Sequence, residues 1–409
     1  MRMKIIIISF ISFCFLSSVA GAGDNVLPYK LKSGKPFAGT TLNILAVVTP
    51  QFKSYELRDE EFESLTGITV NWTHIPFVAL QEKIASVGVA ADGSFDVVNY
   101  LDSWGPANAY WLESIDGWLK RDGISMDRYP EAFKKSAMFK GETLGFPLRA
   151  HPMLMFYRKD LFAKHGLSVP ETWNDVASAG KTIKQKEGIG GLACYFGADG
   201  NRQNLFLWLN YIWATGTEVF DKQMKPAWAT PSGLRATRDY VSLHTKHNIC
   251  GKGAVSNVEQ DGRIQFAQGN AAMMPVWWWA YSGFYNPNQS KLTKDQVGFA
   301  GMPSYQGKTV TYAISMPYSI SKYSKNKEAS WEFMKWLSNP ELDRRNAIER
   351  SVRGEKIVNN VVTHKSSMAD LGVNAANDNI QMAALASLAN SDIMPQIPEW
   401  PEIGDLLSN

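Results

Sequence analysis

Residues 42 to 72, LNILAVVTPQFKSYELRDEEFESLTGITVNW, decide the architecture. Leu42 to Val48 is a short apolar, β-branched run that reads as a strand. Phe52, Tyr55, Phe62 and Leu65 then keep helical spacing until Gly67, whose freedom to adopt positive φ makes it a natural C-cap. Ile68 to Trp72 is a second strand. After it Leu80, Ile84 and Val87 space a second helix, and Asp92-Gly93 turns the chain into a third strand at Phe95-Asp96-Val97-Val98. Strand, helix, strand, helix, strand predicts an α/β protein with a parallel sheet flanked by helices. In open sheets of this kind ligands sit beyond the carboxyl ends of the strands. Those ends are Thr49-Pro50-Gln51 and Tyr100-Leu101-Asp102-Ser103-Trp104.

A second unit begins after Phe146-Pro147. Met153 to Tyr157 reads as a strand and Asp160 to His165 as a short helix stopped by Gly166. Thr172-x-x-Asp175 is a capping box opening a helix through Val176, Ala179 and Ile183. Further on, Trp331, Met334 and Leu337 space a helix stopped at Asn339, which caps the next with Pro340 at its first position. No internal repeat or low-complexity linker separates the units, so two lobes joined by several chain crossings are expected.

The first residues, Met1-Arg2-Met3-Lys4, an apolar stretch from Ile5 to Leu16 and the small residues Ala20-Gly21-Ala22, form a secretory leader expected to be cut after Ala22. Phe13 before Cys14 argues against a lipoprotein. The apolar stretch is shorter than the roughly 18 residues of a spanning helix. The mature chain, beginning at residue 23, would be free in the periplasm. Loss of Arg2 and Lys4 leaves a formal charge of (42 − 2) − 39 = +1, which offers nothing to nucleic acid or an anionic membrane. Two of the 3 cysteines, Cys194 and Cys250, remain. An oxidising compartment permits them to pair, and spacing leaves open whether they do.

Four segments carry a resemblance: GETLGFPLRAHPMLMFYRKDLFAKHGLSVPETWNDV (141–176), FAQGNAAMMPVWWWAYSG (266–283), VGFAGMPSYQGK (297–308) and SKNKEASWEFMKWLSNPE (324–341). In order and spacing the chain resembles the extracellular solute-binding proteins of sugar ABC importers, the group that includes maltose-binding protein. The resemblance implies two lobes, each built from discontinuous chain, closing on a solute held in the cleft between them. It places residues 23–149 and 300–330 in the first lobe and 150–299 and 331–409 in the second. It implies a monomer that captures a sugar or polyol and hands it to the permease subunits of an importer, with no cofactor, no metal and no catalytic residue. Relatives continue past the stretch similar to IPEWPEIGDLL into a further amphipathic helix, whereas this chain reaches Ser408-Asn409, so less apolar burial is expected in the second lobe.

Within that frame the candidate ligand-binding residues are Gln51, Asp102, Trp104, Arg149, His151, Gln203, Asn204, Trp279 and Tyr312. Gln51, Asp102 and Trp104 lie at the strand ends singled out by topology. A carboxylate accepting from sugar hydroxyls makes charge-assisted bonds that fix orientation, although an ordinary helix-capping aspartate is the plainer reading of Asp102. Arg149 and His151 stand where the chain first crosses between lobes, and the resemblance aligns His151 with a ligand-contacting position. If Arg149, His151 and Arg353 all face the cleft, an acidic or sulfonated sugar is favoured over its neutral parent. Gln203 and Asn204 match a sugar-contacting stretch of relatives, and Tyr312 opens the returning segment.

The run Trp277-Trp278-Trp279 follows a strand. If the extended path continues, Trp277 and Trp279 share one face and Trp278 takes the other. The resemblance aligns Trp279 with the cleft, where an aromatic face can stack on the C–H patches of a sugar, and Trp278 is expected in the core.

Competing motifs fail on context. Gly188-x-Gly190-x-x-Ala193 imitates a dinucleotide fingerprint but follows a helix and opens a strand. His244-x-x-His247 has no third ligand, and no GxSxG elbow is present. A secreted carbohydrate-active hydrolase on a similar plan is the alternative, since 39 acidic residues always allow some carboxylate pair. A non-sugar solute such as an organic acid or polyamine is the alternative within binding.

Overall fold

The computed structural model describes residues 28–198, 202–356 and 361–409; the leader expected at residues 1–22 lies outside the described residues. Described strands are β1 (Thr41–Val47), β2 (Thr69–Ile75), β3 (Val97–Asn99), β4 (Met138–Phe139), β5 (Glu142–Thr143), β6 (Phe146–Arg158), β7 (Met273–Trp277), β8 (Val297–Ala300), β9 (Thr311–Ile320), β10 (Ser351–Val352), β11 (Glu355–Lys356) and β12 (Ser391–Asp392). Eight of them form one sheet in the order β2-β1-β3-β9-β6-β7, with β12 on β9 and β8 on β6. The other four make two small hairpins.

The first half follows the sequence pattern. β1 runs parallel to both β2 and β3, and a strand with partners on both sides and helices over both faces is apolar nearly throughout. Ile44, Leu45 and Ala46 are fully buried. Between β1 and β2 the expected helix is two, Pro50–Glu56 and Asp59–Thr66, the second closed by Gly67 at φ 72°. A Cβ at Gly67 would sit 2.7 Å from that of Ala38, so both backbone and space require glycine there.

The second half repeats the arrangement. Three helices, Trp173–Glu187, Pro231–Thr245 and Glu259–Ala267, each lead into an extended segment. Parallel bridges place Leu192 beside Cys250 and Gly190 beside Ala271, ahead of β7. Parallel pairing therefore supplies the centre of each half, while the long strands β6 and β9 run antiparallel to β3, β7 and β8 and to each other, with only the short β12 parallel to β9. Cys194 and Cys250 are disulfide-bonded, their Cα atoms 5.4 Å apart, because the adjacent segments bring them together.

β6 and β9 belong to both halves. Their pairing is regular from Phe146 to Leu148 against Tyr318 to Met316 and resumes at His151 against Ile314, with a register shift between. Arg149 sits in that interruption at φ 46°, a left-handed conformation uncommon for a residue with a Cβ. The joint between the halves is therefore a bulge in a continuous ribbon.

Helix Lys327–Leu337, placed mostly in the second lobe from the sequence, packs on the first half. Trp331 stacks on Trp118 and Phe146 with ring centroids 5.6 Å from each, and Phe333 and Trp336 lie against Phe62 at 5.5 and 5.3 Å. The next helix, Pro340–Ile348, follows it there, and Arg58 donates to Asn346 and pairs with Glu349 just beyond its end. Trp331, Phe333, Met334, Trp336 and Leu337 give the first of these helices a broad apolar face, which is buried beside β9 and helix Asp59–Thr66 together with the ion-paired Glu332 and Lys335. Helix Trp400–Ser408 returns to the second half, with Trp400 fully buried and edge-on to Phe220. Among the described residues no helix is long and apolar enough to cross a membrane.

Candidate functional site

A cavity of about 680 Å³ opens between the halves. One wall is the end of β1 and helix Pro50–Glu56, giving Thr49, Gln51, Lys53 and Ser54. The opposite wall is helix Glu259–Ala267 and the turn after β7, giving Gln260, Arg263, Trp279, Asn286 and Gln289. Arg149 stands at the joint between them. Thr49 caps its helix by accepting from Phe52, which fixes the angle at which Gln51 enters the wall. Of the nine sequence candidates, Gln51, Arg149 and Trp279 line this cavity.

Asp102, Trp104, His151 and Tyr312 lie deeper, each at most 1% exposed. Asp102 and Trp104 occupy a single 3-10 turn that follows β3, the strand end picked out by topology. Asp102 accepts from the backbone N–H of Ser103 at 2.6 Å and of Ser315 at 3.3 Å, and burial outweighs these bonds and pushes its carboxyl up to about 7. Trp104 stacks on Phe77 at 5.5 Å. Tyr312, at the start of β9, packs on Phe206 at 5.0 Å and Trp277 at 6.1 Å; burial raises its hydroxyl pKa well above the usual range, and the charge of Asp102 adds to this. His151 is held neutral by burial and then by nearby Arg149, and lies edge-on to Trp277 at 5.9 Å and Trp279 at 6.4 Å.

These residues share a property with several others in the interior, Trp278 and Trp336 among them. Trp104 Nε1, both ring nitrogens of His151, Trp277 Nε1, Tyr312 Oη and Gln51 Oε1 are buried with no hydrogen-bond partner among the described residues. Each such atom costs about 1–3 kcal/mol relative to a satisfied one, and native interiors leave few of them. Three of these residues, His151, Trp277 and Tyr312, are in ring contact with one another beside the joint, where a polar partner would satisfy them.

Gln203 and Asn204 are not brought to the cleft. Gln203 Oε1 accepts from Glu259 N–H at the start of a helix. The Asn204 amide exchanges bonds with Ser408, donating to its carbonyl and accepting from its hydroxyl, both at 2.8 Å. Its polar capacity is thus committed to anchoring helix Trp400–Ser408. Arg353 also faces elsewhere, pairing with Asp59 and Glu60. Next to Asn204, Arg202 Nη2 reaches across to Gln81 Oε1 in the first half at 3.0 Å, while its Nη1 holds Pro401 O and Asp405.

The tryptophan run differs from its expected geometry. β7 ends at Trp277, whose last ladder partner is Met153, and a 3-10 helix Trp278–Tyr285 begins at once. Beyond Met153 strand β6 enters the bulge, so no ladder remains to keep the chain extended. Trp278 is fully buried, as expected of a core ring, and Trp279 turns into the cavity with the guanidinium carbons of Arg149 and Arg263 over it at 5.4 and 4.9 Å.

A family model described as bacterial extracellular solute-binding protein matches residues 47–343. The chain belongs to that family. It is 27% identical to the mannitol-binding protein of Pseudomonas aeruginosa over 68% of this chain and 64% of that one. Its fold is similar to maltose-bound MalE3 of T. maritima, with a TM-score of 0.78 and 23% identity over 90% of this chain and 93% of that one. A solute-binding protein of Agrobacterium radiobacter in complex with ribitol superposes with a TM-score of 0.76 and 25% identity, over 91% and 93% of the two chains.

For this solute-binding protein the sequence missed Trp277, Arg263 and Lys53. Trp277 stands beside His151 and Tyr312 as the last residue of β7, a position that alternation with Trp279 does not give, because the strand ends there. Arg263 and Lys53 sit on short helices that carry other charged residues, and only the facing of two distant helices distinguishes them.

Proposed function

We propose that this protein captures a sugar or polyol between its halves by closing about the Arg149 bulge, and delivers it, as a periplasmic monomer, to the permease of an ABC importer. In this reading residues 23–149 with the C-terminal part of β9 and helices Lys327–Leu337 and Pro340–Ile348 form one lobe, and residues 150–300 with helix Trp400–Ser408 form the other. The observation that carries the reading is the set of partnerless polar atoms on Gln51, Trp104, His151, Trp277 and Tyr312 beside the Asp102 carboxylate. Indole N–H only donates, carboxylate only accepts, and tyrosine and neutral histidine do both. A chain or ring of vicinal hydroxyls, each donating and accepting, is the solute that answers such an alternation. The flanking faces of Trp277 and Trp279 suit its C–H surface. The mannitol and ribitol named for relatives are of this class.

Closure follows from differential contact. Solute bound to one lobe gains further hydrogen bonds when the other arrives, and only that difference shifts the equilibrium. The Arg202–Gln81 bond is available in the closed arrangement as a latch. Calorimetry and intrinsic tryptophan fluorescence with mannitol, ribitol and maltose test the proposal. A saturable fluorescence change with one of these, and no turnover of it, supports binding. Hydrolysis of a glycoside at catalytic rates would favour the hydrolase alternative, and failure of every sugar and polyol to bind would remove the proposal.

A further inference from the structure

The cavity wall carries three cationic side chains, Lys53, Arg149 and Arg263, and among its lining residues no Asp or Glu. Two of the cations are balanced from their own helices: Lys53 lies 3.2 Å from Glu56, and Arg263 lies 2.6 Å from Glu259. Arg149 makes no ion pair among the described residues. Its Nη1 reaches only the thioether sulfur of Met316 at 2.9 Å, and its Nε is buried without a partner. Burial drives its pKa down to about 10; the charge of Glu259, already bonded to Arg263, offsets this in part, and Arg263 adds to it. A guanidinium half-buried in a cavity wall with no ion-pair partner is costly unless a ligand supplies the counter-charge.

The position of Arg149 links this charge to the hydroxyl-matching cluster. His151 is two residues along the same strand and lies edge-on to both Trp277 and Trp279, while Arg149 and Arg263 both lie over Trp279. A solute extending from Tyr312 and Asp102 past His151 would end at the two guanidinium groups. Guanidinium is suited to a planar or tetrahedral oxyanion because its N–H groups present a fork.

We infer that the solute of this cleft is a polyhydroxylated anion, a sugar acid or an acid-bearing polyol, whose acidic group pairs with Arg149 at the joint while its hydroxyls meet the buried cluster. The inference rests on the proposed solute-binding reading and narrows it. It assigns Arg149 as the residue that discriminates charge, with Arg263 assisting.

The test is calorimetry at pH 7.5 on matched neutral and acidic solutes: mannitol with mannonate and mannitol 1-phosphate, ribitol with ribonate, and glucose with glucuronate. At least one acid is expected to bind tenfold or more tighter than its neutral parent, and the carboxylate and phosphate arms report which oxyanion fits. In Arg149→Met, which removes charge at similar bulk, that preference should fall to less than threefold, and Arg263→Met should reduce it in part. If neutral solutes bind and no acid exceeds its parent tenfold, the inference is overturned while the solute-binding reading stands; this wild-type comparison needs no variant to fold. Persistence of the preference in Arg149→Met also overturns it. If no member of either series binds, the broader reading falls and takes this one with it.

Discussion

Replacing Asp102 with asparagine should stabilise the ligand-free protein and weaken its grip on solute, two effects of opposite sign from one atom. The carboxyl is fully buried, and burial raises its pKa to about 7 from the ordinary 3.8. A raised carboxyl pKa means the ionised form is disfavoured in the fold. The penalty is absent below the unfolded value near 3.8, grows as pH rises, and is complete above about 7. A shift of about 3 units corresponds to about 4 kcal/mol at most. Asparagine escapes this penalty, but its amide can accept from only one of the Ser103 and Ser315 N–H groups, and leaving the other unmatched costs about 1–3 kcal/mol. The ligand-free variant should therefore exceed the wild type by roughly 1–3 kcal/mol at pH 8 and show no advantage at pH 4. Solute affinity should drop by the worth of a charge-assisted acceptor, about 1.5–3 kcal/mol or about 10- to 150-fold. Because bound hydroxyls stabilise the carboxylate, binding near pH 6 should release a proton, and affinity should fall as pH drops below 7. Urea denaturation at the two pH values and calorimetry in buffers of different ionisation enthalpy read all three effects. A variant less stable than wild type at pH 8, or one with unchanged affinity, would refute the reasoning.

Trp278→Ala should lose about 3–5 kcal/mol of stability, since the cavity left by a fully buried ring does not collapse; Trp279→Ala should leave stability nearly intact and weaken binding by about 1–3 kcal/mol. Thermal unfolding and titration of the two variants side by side check this, and an early-unfolding Trp279 variant that still binds normally would place that ring in the core. Reducing the Cys194–Cys250 bridge, which closes a separation of 56 residues, should cost about 4 kcal/mol on chain-entropy grounds. Hydrogen exchange on the Cys194→Ser, Cys250→Ser protein should find the loss confined to the half built around β7, and equal loss of protection in both halves would contradict it.

The first half of the fold was legible because its signals are local: β-branched runs, helical spacing and Gly67 repeat at short intervals. The position of Asp102 and Trp104 just beyond β3 could be read for the same reason, since the end of a parallel strand locates them without any distant contact. What depends on distant partners could not be read. Helix Lys327–Leu337 carries a broad apolar face, and its periodicity does not say which half receives it. Asn204 looks like any cleft amide until Ser408, 204 residues away, is seen to occupy it. The path after Trp277 hinged on where strand β6 bulges, and no spacing in either segment records that.

The most direct test of the account is a structure of the protein with its solute bound, prepared from the tightest-binding polyol or sugar acid. The account predicts solute hydroxyls within about 3.2 Å of Trp104 Nε1, a ring nitrogen of His151 and Tyr312 Oη, with Asp102 accepting from the same molecule. A solute seated elsewhere, leaving those buried atoms without partners, would contradict it.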